Sequence, residues 1–297
     1  MMKIGILGAG VMGLCVAQKL KSAGYPITAY DVSPHSCAKA VSIGVPVAAD
    51  IRGAVADADV VLMYLPGPKE VASCVIGDSG VLNWIKPGAV VVDQSTVDPV
   101  TSQRMAKASS RKGVGYLDAP VLGRPSIIGS WTIVVGGGSD DLAKCRSVLE
   151  VLGENISHQG PSGSGNIVKL LNQLMFGAIN AITAEVMAIS QKIGIPPKNF
   201  YNTIAGSKAG TVSNLFKELG ARISEERYDQ PTFSVDLLEK DINLGIEMAQ
   251  HYGAPPLLAR TVEFLNEAAK CQGLGPLDTS VMWKCYFSIW GDQQKKP

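Results

Sequence analysis

The run Gly8-Ala-Gly10-Val-Met-Gly13 constrains this chain more than any other feature. It stands directly after a short β-type run, residues 3–7, and opens a helical pattern, residues 12–23. In such a strand–turn–helix the first glycine permits the tight turn, the second lets backbone approach a pyrophosphate, and the third packs helix on strand. Phosphate oxygens then rest on the N–H groups of the helix end. Gly8, Gly10, Val11, Met12 and Gly13 are therefore candidate dinucleotide contacts. A GxGxxG alone is a weak signal, but here an acid follows the second strand run, residues 27–30. Asp31 lies 21 positions after Gly10, near the ~20 of the dinucleotide fingerprint. A carboxylate there accepts hydrogen bonds from the adenosine ribose hydroxyls and repels a 2′-phosphate. Val32-Ser-Pro-His35 follow, with no Arg or Lys before Lys39. The expected cofactor is NAD, with NADP disfavoured.

Further buried-strand candidates are residues 60–63, 89–93, 115–118 and 131–135, spaced by helical segments. Continuous apolar runs of this kind mark a parallel sheet covered on both faces. The fold class is α/β, an N-terminal Rossmann-type doubly wound, mostly parallel sheet. After Gly160-Pro-Ser-Gly-Ser-Gly165 no strong strand run recurs, and the remainder reads as helix. A length of 297 residues, at roughly 150 per domain, agrees with two domains. Residues 1–162 form the nucleotide-binding domain and 163–297 an all-α domain. Its first helix covers residues 166–193, stopped by Gly194 and Pro196-Pro197. Later helices are expected over 197–205, 211–224, 234–252, 255–270 and from Asp278.

Lys plus Arg is 27 against 26 Asp plus Glu, so nothing in the charge balance points to nucleic acid or an anionic membrane. No 18-residue run lacks polar groups, and no membrane span or secretory leader is expected. The six cysteines are scattered without a CxxC pair, which is not metal spacing and suits reduced thiols in a cytoplasmic protein. No metal is expected.

On the long helix Lys169, Asn172, Gln173, Phe176 and Asn180 fall at i, i+3, i+4, i+7 and i+11, so they share one face. The opposite face is apolar. A polar stripe on so hydrophobic a helix either faces solvent or lines a site. A buried lysine loses its proton more easily, which suits acid–base work near neutral pH.

Six motifs in order make the chain resemble the β-hydroxyacid dehydrogenase family along nearly its whole length. They are Gly8-Ala-Gly-Val-Met-Gly13, Tyr64-Leu65-Pro66, Asp93-Gln-Ser-Thr96-Val-Asp-Pro99, Asp118-Ala-Pro-Val121, Gly163-x-Gly165-x-x-x-Lys169-x-x-Asn172-Gln173 and Phe233-x-x-Asp236-x-x-x-Lys240-Asp241. Asn172-Gln173, Ala209-Gly-Thr-Val212 and Gly273-Leu-Gly275 with Cys285-Tyr-Phe resemble the tartronate semialdehyde reductase branch more than the hydroxyisobutyrate branch. The resemblance implies that Lys169 is the catalytic lysine, protonating the carbonyl oxygen in reduction, with Asn172 and Gln173 orienting substrate. It places Thr96 near the nicotinamide, Leu65, Pro66 and Lys240 against the cofactor, Phe233 at the substrate, and Asp241 as a supporting acid. It implies a site in the cleft between domains and a small hydroxyacid or semialdehyde substrate. The apolar helical domain suggests a homodimer or homotetramer.

One motif departs from the family. The usual Ser-Gly-Gly after Asp-Ala-Pro-Val is Leu122-Gly123-Arg124 here, followed by Pro125, and the stretch to Gly136-Gly137 is about two residues shorter than usual. A hydroxyl has gone and a guanidinium, suited to bidentate anion binding, has arrived. This leaves open a sulfonated or dicarboxylic small aldehyde as substrate. An imine reductase is disfavoured by Lys169, and a non-catalytic NAD-binding sensor by Lys169 together with its helix neighbours.

Overall fold

The computed structural model describes residues 1–207 and 213–290. The motif Ala209-Gly-Thr-Val212 and a helix start at Thr211 lie outside the described residues. The chain divides into two compact units, Met1–Lys169 and Leu170–Pro297.

Eight strands build the first unit: β1 (Ile4–Leu7), β2 (Ile27–Tyr30), β3 (Val60–Met63), β4 (Val90–Asp93), β5 (Gly115–Asp118), β6 (Val121–Leu122), β7 (Trp131–Gly136) and β8 (Gly153–Gly160). The sheet order is β2-β1-β3-β4-β5-β7-β6, with β8 beside β7. The first five strands pair in parallel, β7 runs antiparallel to β5 and β6, and β8 is parallel to β7. Every residue of β1, β3 and β4 is buried, because the alternating side chains enter two separate cores. Ile4, Ile6, Val60, Leu62, Val90 and Val92 pack with the helices Val11–Ser22 and Ser139–Leu152. Leu7, Val61, Met63 and Val91 pack with Pro68–Ile76 and Pro99–Ser110. The winding reverses between β1 and β3, and ligands of such sheets lie at the carboxyl ends of the strands flanking that point.

Two strands escape the sequence pattern. β6 is two residues long, and β8, Gly-Glu-Asn-Ile-Ser-His-Gln-Gly, is mostly polar and largely open to solvent. It is held by its ladder to β7, from Trp131↔Gly153 to Gly136↔Gly160.

The helix Ser164–Lys192 runs for 29 residues, starting two residues earlier than expected. By length and mean hydropathy it could cross a membrane, although the window concerned carries polar side chains that are buried within the protein. Past Lys169 it is the core helix of the second unit, where Ala184, Met187 and Ala188 pack with Ile223, Val235 and Met282. Ala181 packs with Leu238, Ile242 and Val262. The helices Pro197–Gly206, Asn214–Ser224, Val235–His251, Leu257–Cys271 and Met282–Trp290 complete that unit.

Candidate active site

Gly8 (φ +94°) turns the chain after β1, and a Cβ there would lie 2.3 Å from the Tyr64 carbonyl oxygen at the end of β3. A Cβ on Gly13 would meet the Gly8 carbonyl oxygen at 1.8 Å, whereas Gly10 has open space around it. The helix Val11–Ser22 begins with neither a side-chain cap nor an acid in its first turn, and Val11 is exposed. This is a cradle shaped for the pyrophosphate of a dinucleotide. Asp31 closes it: its carboxylate accepts the Ala9 N–H at 2.6 Å and the Ser33 N–H at 2.7 Å. The acid therefore ties down the glycine loop through the Ala9 N–H.

Behind the cradle, the ends of β3, β4 and β5 are tied together. The Tyr64 hydroxyl donates to Gln94 Oε1, and Gln94 Nε2 donates to the Ala119 carbonyl at 3.2 Å. Burial raises the Tyr64 phenol well above its usual range, so it stays a donor. The Leu65 N–H donates to Ser95 Oγ at 2.9 Å, while Pro66 is exposed. Thr96 is half-buried between two tethered residues, because Val97 N–H donates to Asn166 Oδ1 at 3.1 Å.

Two carboxylates absent from the expected site lie beneath it, paired in register as Asp93↔Asp118. Asp118 accepts the Gly163 N–H at 2.7 Å and the Asn166 N–H at 3.0 Å, acting from β5 as the cap of the long helix. Asn166 adds a bond from Nδ2 to Ser102 Oγ at 3.1 Å. These ties explain why the division between units falls inside the helix, at Lys169, rather than before it. Burial raises the Asp118 carboxyl, and the amide hydrogen bonds oppose that.

Asp93, fully buried, accepts Ser95 N–H at 2.9 Å and the Tyr116 hydroxyl at 2.8 Å. Burial pushes its carboxyl from 3.8 up to about 6. A raised folded-state pKa means stability that is present at low pH and lost as pH rises through about 6. An Asn there does not titrate. The stability of Asp93→Asn relative to the parent should therefore improve between pH 4 and pH 7, by about 3 kcal/mol at most. Urea unfolding of both proteins across that range checks this, and a difference independent of pH would refute it.

Lys169, half-buried, donates from Nζ to the Val121 carbonyl at 2.9 Å. The next residues are Leu122, Gly123 and Arg124, all half-buried. The first unit thus brings the lysine to the segment that departs from the family motif.

In the second unit Asn172 Nδ2 donates to Gln173 Oε1 at 3.3 Å, and Gln173 Nε2 donates to Asp241 Oδ2 at 2.5 Å. Lys240 Nζ lies 2.7 Å from Asp241 Oδ1. Asp241 thereby fixes the polarity of the Gln173 and Asn172 amides. Phe233 meets Phe176 edge-to-face, with centroids 5.4 Å apart. The polar stripe of the long helix points inward, with Gln173 and Asn180 buried, while Leu171, Met175, Ile182 and Ile189 on the other side are exposed. Among the described residues no group of His, Cys, Asp or Glu is arranged to hold a metal.

Sequence reasoning passed over Asp93, Gln94, Asp118, Asn166 and Trp131 as site builders. Four lie inside or next to quoted motifs, but their bonds run to residues 2 to 69 positions away.

A Gly-rich cradle at a sheet switch point, with a helix lysine bonded to the Val121 carbonyl of the same unit, fits a nicotinamide-dependent oxidoreductase. Residues 3–160 match the NAD binding domain of 6-phosphogluconate dehydrogenase, and residues 163–286 the NAD-binding domain of NADP-dependent 3-hydroxyisobutyrate dehydrogenase. The chain is 31% identical to 2-(hydroxymethyl)glutarate dehydrogenase of Eubacterium barkeri, covering 97% of this chain and 96% of that one. It is 30% identical to NAD-dependent L-serine dehydrogenase of Pseudomonas aeruginosa, covering 98% and 100%. The crystal structure of 3-hydroxyisobutyrate dehydrogenase from Salmonella typhimurium superposes with a TM-score of 0.88 at 27% identity, covering 96% and 99%. The chain belongs to the β-hydroxyacid dehydrogenase family. It is an NAD(P)-dependent hydroxyacid dehydrogenase acting on a CH–OH group.

Proposed function

We propose that the protein interconverts a small β-hydroxyacid and its semialdehyde with NAD, using Lys169 as the acid–base group. The observation that carries this reading is Lys169 Nζ at 2.9 Å from the Val121 carbonyl, on a helix capped by Asp118. The cradle of Gly8, Gly10, Val11, Met12 and Gly13 holds the dinucleotide, with Leu65, Pro66, Thr96 and Lys240 as further contacts. The bound nicotinamide supplies the hydride acceptor or donor. Lys169 Nζ, as the neutral amine, takes the hydroxyl proton in oxidation, and as the ammonium it gives a proton to the carbonyl oxygen in reduction. Asn172 and Gln173, held in one polarity by Asp241, orient the substrate, and Phe233 flanks it.

Leu122 cannot hydrogen-bond to a carboxylate, and Arg124 takes over that task through its guanidinium fork. A substrate with a second anionic group, carboxylate or sulfonate, fits this exchange. The similarity to a 2-(hydroxymethyl)glutarate dehydrogenase supports the dicarboxylic form. The test is NAD⁺ reduction with 3-hydroxyisobutyrate, L-serine, 2-(hydroxymethyl)glutarate and a sulfonated hydroxyacid. Turnover of none of them refutes the reading. A preferred dianion whose KM is unchanged in Arg124→Ala refutes the role of Arg124.

NAD is preferred because Asp31 places a fixed negative charge where a 2′-phosphate would sit. Asp31→Ser combined with Val32→Arg should shift the ratio of kcat/KM for NAD⁺ over NADP⁺ by about tenfold or more. Equal use of both cofactors by the parent protein would remove the basis of this claim.

The exposed stripe of Leu171, Met175, Ile182 and Ile189 fits burial against a second copy in a homodimer or homotetramer. Six unpaired cysteines fit the reducing cytoplasm.

A further inference from the structure

We propose that Trp131 is a positioning residue that fixes the backbone of Leu122–Arg124 and thereby sets which hydroxyacid the protein accepts. The inference rests on the reading that this segment lies against the substrate.

Trp131 opens β7 and is fully buried. Its indole Nε1 donates to the Arg124 carbonyl at 2.8 Å. A Cβ built on Gly123 would lie 2.1 Å from the indole Cδ1 and 2.7 Å from Nε1. The backbone of residues 123 and 124 therefore lies directly on the indole edge, a separation that only glycine allows. The neighbouring restraints converge on the same segment. Its entry is laddered to β7 as Val121↔Ile133 and Leu122↔Thr132. Its exit is held by the Cys15 thiol on the Pro125 carbonyl at 3.4 Å and by Gly129 N–H on the Leu152 carbonyl at 2.9 Å. Pro125 restricts the residue before it to extended backbone, and Arg124 stands at φ −115°, ψ 161°. The Arg124 carbonyl also accepts the Ile127 N–H at 3.1 Å, closing the short turn after the arginine.

The consequence is a strap whose backbone is set directly against the edge of the Trp131 indole. The Cα of Arg124, and so the origin of its side chain, is set by Trp131. Lys169 donates to the carbonyl of Val121, one residue before the strap. Raising the strap therefore disturbs the arginine first and the lysine's acceptor second. Substrate KM should respond more than kcat, and cofactor KM should not respond.

The experiment is a rescue. Gly123→Ala drives a methyl into the indole and should raise the KM of the best hydroxyacid about tenfold or more, with KM for NAD⁺ unchanged. Amide hydrogen exchange should become faster across residues 122–130. Adding Trp131→Leu removes the obstructing ring edge, so the double variant should recover substrate KM toward the parent value. Trp131→Phe keeps a single, smaller aromatic ring and deletes the N–H, and should raise KM by a smaller factor; it serves if Gly123→Ala does not fold. Unchanged substrate KM in Gly123→Ala, or no recovery in the double variant, overturns the proposal and leaves Trp131 a core residue. KM rising equally for NAD⁺ also overturns it, since that is general loosening. A parent protein that oxidises no hydroxyacid overturns the proposed function and this specificity role together, whereas an active parent with an indifferent Gly123→Ala overturns this inference alone.

Discussion

Lys169→Ala is expected to lower kcat by about 10²–10⁴, the usual cost of deleting a positioned acid–base group. The dissociation constant for NAD⁺ should stay within about twofold. The reason for the split is the place of the side chain. Its Nζ engages the Val121 carbonyl beside the Leu122–Arg124 segment, and the glycine cradle and Asp31 are assembled by other bonds. The helix itself is anchored one turn earlier, through Asp118 and Asn166, so the truncated side chain leaves the backbone in place. Steady-state kinetics paired with fluorescence titration of NADH checks both halves. Retained kcat would end the assignment of Lys169, and loss of NADH binding would make the lysine structural.

Asp118→Ala should be strongly destabilising. It strips the acceptor from the N–H groups of Gly163 and Asn166, both buried, at about 1–3 kcal/mol for each donor left without a partner. Removing a carboxylate whose ionisation burial already disfavours offsets part of that. The expected loss is about 3 kcal/mol, equivalent to a fall in Tm of roughly 10 °C. Asp118→Asn should lie between, because an amide supplies one acceptor and turns an NH₂ toward the other N–H. In both variants kcat should fall further than cofactor affinity, since the cap aims the helix that carries Lys169. Thermal unfolding of the two variants tests the order, and a Tm within a degree or two of the parent in Asp118→Ala would refute it.

The sheet was legible where apolar residues run without interruption. All four residues of β1, β3 and β4 are buried, which only a sheet covered on both faces can arrange. β8 was not legible. Glu154, Asn155, His158 and Gln159 carry no strand pattern, and the segment is a strand because its backbone groups pair with β7. The long helix was visible from its periodicity and its Gly194-x-Pro196 stop, but the sequence left its polar stripe free to face either water or a site. The structure turns it inward, since its partners Asp241 and the Thr279 carbonyl come from 68 and 99 residues away.

By itself, the sequence determined the strand–turn–helix with its three glycines, the acid that ends β2, the two-part division into α/β and helical halves, and the lysine on the long helix. Each of these is a short-range property: backbone freedom at glycine, hydrophobic period, or a motif of adjacent residues. Only tertiary structure decided that Asp118 caps the helix from β5, that Asp31 ties the glycine loop through the Ala9 N–H, and that the Trp131 indole bonds the Arg124 carbonyl. Those decisions depend on which buried donors find acceptors once the sheet is assembled, and a buried polar group must be paired wherever along the chain its partner happens to lie.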